Sequence, residues 1–122
     1  MINHTAIAAL LFLVSIPLLA DITGKVVTVT DGDTIKVLDA QKREHKVRLS
    51  GIDAPERGQP FGTKSRDNLA SMVAGKEVRV ESTRQDRYDR ILGKVWVQPR
   101  DCPTCGKTLD ANLAQVTAGM AW

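Results

Sequence analysis

At 122 residues and a formal net charge of +3, the chain has room for one small domain and no more. Its two cysteines and, past the first twenty residues, a single histidine (His45) exclude a four-ligand structural zinc site. A charge of +3 excludes little else, since it suits an ordinary soluble surface as well as one that attracts a polyanion.

Residues 1–20 hold no acid, lysine or arginine, and from Ile7 to Ala20 only Ser15 and Pro17 break an apolar run. Such a run is short for a membrane span and typical of the hydrophobic region of a secretory signal. Pro17 and the small Ala20 favour cleavage before Asp21. The amino end offers only its terminal amine and His4 as positive charge, so an uncleaved anchor is the alternative. We therefore expect residues 1–20 to be a signal peptide and the protein to be secreted or periplasmic. Once the leader is cleaved, no stable membrane association is expected.

Residues 22–30 alternate loosely and are rich in valine and threonine, which predicts a strand; Asp31-Gly32-Asp33 is a turn, and residues 34–38 are the returning strand. After a polar turn at 39–43 comes a third strand at 44–49, with Val47 and Leu49 on one face and Lys46 and Arg48 on the other. Pro55, Gly58 and Pro60 make residues 51–62 irregular. A helix at 63–73 follows, with Thr63 as its N-cap and Gly75 as its stop. Residues 76–83 and 91–97 give the fourth and fifth strands. The loop at 99–108 carries Cys102 and Cys105, expected in an exported protein to form a local disulfide; redox chemistry is the lesser reading. Asn112 caps a second helix that ends before Gly119. Five short strands with a helix between the third and fourth describe a small closed sheet, the five-stranded OB-fold barrel with helices (α+β). Met120, Ala121 and Trp122 read as the start of a further apolar segment, so the domain at 21–122 is expected to be C-terminally incomplete.

Three segments carry the chemistry: Asp31-Gly32-Asp33-Thr34, then Arg48 through Asp53-Ala54-Pro55-Glu56, then Asp86-Arg87-Tyr88-Asp89-Arg90. Each has a bland reading alone. Asp-Gly-Asp is a common hairpin turn, Asp-Ala-Pro-Glu an ordinary turn, Arg48 the solvent face of a strand, and Tyr88 a packing residue. Together, acids at this density beside fixed cations suit a hard metal and a phosphate. The ordered set on one barrel points to a metal-dependent phosphodiesterase site.

Segments of this kind, in this order, resemble the staphylococcal nuclease (thermonuclease) family, and the resemblance runs from Gly24 to Trp122. It implies an SNase-like OB-fold barrel that cuts DNA and RNA with calcium, leaving 3′-phosphate ends. By the same resemblance, Asp33 and Asp53 match the calcium carboxylates, Ala54 the residue donating a backbone carbonyl, and Asp31 an acid acting through water. Glu56 matches the general base, Arg48 and Arg90 the arginines on the scissile phosphate, and Tyr88 a tyrosine bordering the nucleotide pocket. Asp89 departs from the family, standing where its founding sequence has glycine, and the family's last helix is absent beyond Trp122. Tyr88 as a stacking surface in an open groove suggests that single-stranded nucleic acid is preferred. The expected protein is a monomeric, exported, sugar-nonspecific endonuclease. The alternatives are a non-catalytic nucleic-acid-binding barrel and an inactive truncated fragment.

Overall fold

A computed structural model describes residues 21–122; the leader expected at residues 1–20 lies outside the described residues. In chain order the elements are β1 (Ile22–Asp31), β2 (Thr34–Leu38), β3 (Glu44–Leu49), α1 (Gly62–Val73), β4 (Glu77–Gln85), β5 (Ile91–Val97), β6 (Leu109–Asp110) and α2 (Ala111–Thr117). β1 pairs antiparallel with β2 and with β4, β2 with β3, and β4 with β5. A parallel pairing of β3 with β5 closes the ring. This is the expected five-stranded OB-fold barrel. β6, which the sequence did not announce, is a two-residue addition to β5.

Valine spacing explains the closure. In β2, β3, β4 and β5 the buried residues fall at every second position, Val47 and Leu49 in β3 and Val78 and Val80 in the first half of β4. β1 instead buries Val26 and then Val29, because its register with β2 shifts between Val26 and Thr28. That bulge turns Val27 outward, at 45% exposure, and accounts for the loose alternation of the sequence. The core is aliphatic, built from residues such as Ile35, Val47, Leu49, Val80 and Val95, with Leu69 and Val73 of α1 packed into it.

Both helix starts differ from expectation. Thr63 does not cap α1. Phe61 occupies the N-cap at φ 64° with no side-chain bond, after a tight turn in which Gly62 N donates to Gln59 O (2.9 Å). A Cβ on Gly62 would run into the Glu56 carbonyl, so loop packing rather than a hydroxyl cap sets where this helix begins. Asp110 caps α2, accepting from Leu113 N (3.0 Å). Asn112 points inward at 4% exposure. It donates to Ser50 O (2.9 Å) and Gly93 O (3.1 Å) and accepts from Val95 N (3.1 Å), which ties α2 to the barrel.

Candidate active site

Gly32 and Asp33 form the two-residue link between β1 and β2, where Asp31 faces Thr34. The helices hold this link from beneath. A Cβ on Gly32 would meet Ser65 Oγ of α1, so only glycine lets the turn approach so closely. Gln115 of α2, fully buried, donates to Gly32 O (2.7 Å) and Ser65 O (3.0 Å) and accepts from Asn68 (2.6 Å). Sequence reasoning passed over Gln115 and Ser65. The available signal was Asn112 and Gln115 three apart on one helix, two amides where an apolar stripe belongs.

Thus fixed, Asp33 is a buried acid. Its Oδ1 accepts from the Thr34 hydroxyl (2.8 Å) and its Oδ2 from Ala54 N (2.9 Å). Thr34 lies opposite Arg48 in the β2–β3 ladder, which brings the guanidinium to the same place. Arg48 Nη2 stands 3.2 Å from Asp33 Oδ2 and 3.1 Å from Asp53 Oδ1, while Nη1 donates to Leu49 O (2.9 Å) and Ile52 O (2.8 Å). Nη1 thus spends both its hydrogens on the two carbonyls, while Nη2 makes one hydrogen bond, to Asp53, and pairs with Asp33 by charge. Asp53 is anchored through its backbone, which exchanges hydrogen bonds with Trp122 (2.7 and 2.9 Å). Asp31 Oδ1 accepts from Arg57 N (3.1 Å), joining the end of β1 to the loop that carries Glu56. Glu56 is exposed; its backbone pairs with Gln59, and its carboxylate meets no partner among the described residues.

Arg90 arrives from the turn between β4 and β5. Its backbone N and its Nε reach the two oxygens of Asp86 (2.9 Å each), and Tyr88 N also donates to Asp86 (2.9 Å). Partial burial pushes the Asp86 carboxyl up. The bonds from Arg90 backbone, Arg90 side chain and Tyr88 outweigh it and hold the group below the usual carboxylate value. Arg90 and Arg48 then line one open depression of about 440 Å³, together with Arg84 and Asp86. Tyr88, 63% exposed, has the guanidinium groups of Arg87 and Arg90 at 5.0 and 5.5 Å from its ring. Asp89 adopts φ 64°, a conformation that glycine takes freely and aspartate tolerates. Its carboxylate accepts from Gln85 (2.7 Å) and lines a neighbouring hollow with Tyr88, not the one Arg48 and Arg90 share.

Two arginines, three aspartates and a glutamate therefore lie along one side of the barrel, contributed by three segments distant in sequence. A larger hollow of about 740 Å³ lies elsewhere, beside the cysteine loop. It gathers no acids beyond Glu77, which is paired with Lys107 at 2.7 Å, so chemistry rather than size locates the site. In that loop Cys102 and Cys105 are joined as a disulfide.

The acids suit a hard cation in part. Every group offered is an oxygen, Asp53 keeps one carboxylate oxygen without a partner among the described residues, and the Ala54 carbonyl accepts no hydrogen bond there. Among the described residues no cluster of three or more His, Cys, Asp or Glu could hold an ion alone. An ion here would draw its remaining ligands from carbonyls, water and a phosphate, as calcium and magnesium do in open sites. On that donor set Asp33, Asp53 and Ala54 fit.

Three relatives are close in sequence. An uncharacterized endonuclease of Escherichia coli is 45% identical over 117 residues, covering 95% of this chain and 71% of its own length. A micrococcal nuclease of Shigella flexneri is 44% identical over 117 residues (94% and 66%). Protein ParB of Escherichia coli is 43% identical over 119 residues (98% and 67%). The chain thus spans about two thirds of the length of the curated relatives it matches. The family described as Staphylococcal nuclease homologue matches residues 46–122, a stretch that takes in Arg48, Asp53, Glu56 and Arg90 and begins after Asp31 and Asp33. By this match and these identities, the chain belongs to the staphylococcal nuclease homologue family.

Proposed function

We propose that this chain is an exported endonuclease that hydrolyses phosphodiester bonds of DNA and RNA with calcium, leaving 3′-phosphate ends. The observation that carries the reading is Arg48, gripped by Asp33 and Asp53 at the edge of the depression it shares with Arg90. The names of the relatives, endonuclease and micrococcal nuclease, point the same way.

In this reading Arg48 and Arg90 donate to the non-bridging phosphate oxygens. A guanidinium fork fits two such oxygens at once, and its hydrogen bonds strengthen as charge builds in the transition state. Asp86 keeps Arg90 aimed. Glu56, exposed and unpaired, takes the proton from the attacking water, a contribution of about 10²- to 10⁴-fold. Asp33, Asp53 and the Ala54 carbonyl would hold the ion, with Asp31 nearby; when bound, calcium adds positive charge beside the phosphate. Tyr88 stacks on a base, which favours single strands. Secretion rests on the leader, and we take the protein to act as a monomer.

The test is release of acid-soluble nucleotides from denatured DNA by the purified 21–122 chain, with calcium, with chelator, and for Glu56→Gln. Calcium-dependent cleavage that collapses in the variant is the expected result. No cleavage by a chain with a cooperative melt would replace the nuclease with a nucleic-acid-binding barrel.

A further inference from the structure

The depression shared by Arg48 and Arg90 holds a third arginine, Arg84. Arg48 is tied to Asp33 and Asp53, and Arg90 to Asp86. Arg84 is exposed, and its side chain makes no ion pair or hydrogen bond among the described residues. Asp86 is the one acid among the described residues that line the depression, and Arg90 already occupies it. A cleft with a surplus of one sign of charge concentrates ions of the other.

Arg84 reaches that face through an irregularity in β4. Val78 and Val80 point into the barrel, and strict alternation would carry residues 82 and 84 to the same side. The ladder with β5 breaks after Ser82, which faces Gly93, and the next paired residue is Arg84, opposite Leu92. Thr83 is the extra residue; its hydroxyl donates to Leu92 O (3.1 Å). In β5 the buried positions are Gly93, Val95 and Val97, so Leu92 belongs to the outer face. The bulge therefore turns Arg84 outward, re-aiming a side chain as such insertions do.

Register then aligns the arginines. Leu92 is the partner of Arg48 in the β3–β5 pairing and of Arg84 in the β4–β5 pairing. Arg48, Leu92 and Arg84 thus form one row across three strands, and two strand spacings set the ends of the row about 10 Å apart. Arg90 enters the same depression from the turn between β4 and β5. A phosphodiester has two non-bridging oxygens, and Arg48 and Arg90 suffice to hold them. The guanidinium at the far end of the row faces the next phosphate of the strand.

We propose that Arg84 binds the phosphate adjacent to the scissile one on the same strand, and that the β4 bulge puts it there. This rests on the nuclease reading above. Arg84 touches a phosphate that does not react, so it contributes to binding, whereas Arg48 and Arg90 act where charge builds in the transition state. The contact sets a substrate class: a strand with two neighbouring charged diesters is favoured over one with a single diester.

Short oligothymidylates test this with calcium present, every linkage a neutral methylphosphonate except one diester, or except two neighbours. For the unmodified chain the second charge should raise kcat/KM by about 3- to 20-fold, between the effect of an exposed ion pair and that of a charge-assisted hydrogen bond. One of the two diesters, the one whose neighbour faces Arg84, should take most of the cuts. Arg84→Met should abolish the gain and cut the two diesters alike, and on denatured DNA its loss should fall in KM rather than kcat. Arg84→Lys keeps a charge and should recover part of the gain. In a cleavage-silent Glu56→Gln background, Arg84→Met should lower the slope of log affinity against log salt by about 0.7, which a merely structural change would leave alone. The Met variant should melt with the unmodified chain, since Arg84 has no partner to lose; Arg84→Gln carries the test if it does not. A gain that survives in Arg84→Met, no gain in the unmodified chain, or a loss confined to kcat overturns the proposal. If the unmodified chain cuts nothing, the nuclease is removed and the affinities of the same strands decide. A gain in affinity lost in Arg84→Met leaves the phosphate contact standing, and a gain retained removes it too.

Discussion

Arg48→Met separates the structural and chemical roles of that arginine. Its side chain is 19% exposed, that of Asp33 8% and that of Asp53 63%. The Asp33 contact is therefore desolvated, and the Asp53 contact is largely screened by water. Exposed pairs contribute about 0–1 kcal/mol, whereas breaking a buried one costs about 3–5 kcal/mol. One contact of each kind places the loss near 3–5 kcal/mol in chelator, nearly all of it from the Asp33 contact, a drop in Tm of roughly 12–40 °C for a domain of this size. Removing a competing cation also frees Asp33 and Asp53, so calcium should raise the Tm of the variant more than that of the unmodified chain. Turnover should still fall about 10²- to 10³-fold, the cost of one donor that acts on transition-state charge. Arg48→Lys should recover part of the stability and little of the turnover, because an ammonium lacks the fork. Thermal melts in chelator and calcium, paired with initial rates on denatured DNA, read all three effects. A variant that melts like the unmodified chain in chelator and gains nothing extra from calcium would refute the reasoning.

Three further outcomes follow from the same geometry. Asp86 has a folded pKa below its unfolded one, so its stabilisation is complete above the ordinary carboxylate value and is lost as pH falls through the lowered folded value. Urea melts of Asp86→Asn should therefore lie below those of the unmodified chain at neutral pH and converge with them in acid, and the variant should lose activity about tenfold or more as Arg90 loses its aim. Asn112→Ala strands Val95 N and removes the donors to Ser50 O and Gly93 O, all close to the barrel wall. At about 1–3 kcal/mol per buried unsatisfied group, a urea titration should show a loss of about 2–4 kcal/mol, a large share of the stability of a small domain. Replacing Cys102 and Cys105 with serine opens a disulfide spanning a sequence separation of 3, far from Arg48 and Arg90. The chain-entropy rule gives about 2 kcal/mol for so short a loop, so Tm should fall by roughly 10 °C while the rate at 25 °C stays within about twofold.

The barrel was legible because its determinants are local. Val78 and Val80, or Val47 and Leu49, announce their faces by alternation alone, and the turns between strands carry their own glycines and acids. Two kinds of feature escaped. The first was register: the bulge that exposes Val27 and the extension of β4 to Gln85 depend on pairing with a distant strand. The second was the helix starts. Thr63 and Asn112 both satisfy the local rule for a cap, yet neither serves as one. The chain enters α1 through a turn packed on Glu56, and Asn112 is needed inside, where Asp110 two residues earlier can take over the cap.

The same division runs through the candidate site. Charged residues stood out in the sequence because acids and arginines crowd into short segments, and the structure brings Asp33, Ala54 and Asp53 to Arg48, and Arg90 to the same depression. Their supports did not stand out, because they are neutral and remote. Gln115 reaches Gly32 across 83 positions of sequence, and Ser65 reaches Met120 across 55. Physical reasons favour amides in these places. A buried amide can donate and accept at once, so one Gln115 satisfies the turn, α1 and its own oxygen without placing a charge in the interior. A charged residue in its stead would add to the field on Asp33 and disturb the balance with Arg48. A barrel that must hold a buried aspartate against a shared guanidinium is therefore best braced by groups with hydrogen bonds and no charge. Asn112 and Gln115, three apart on α2, are that brace.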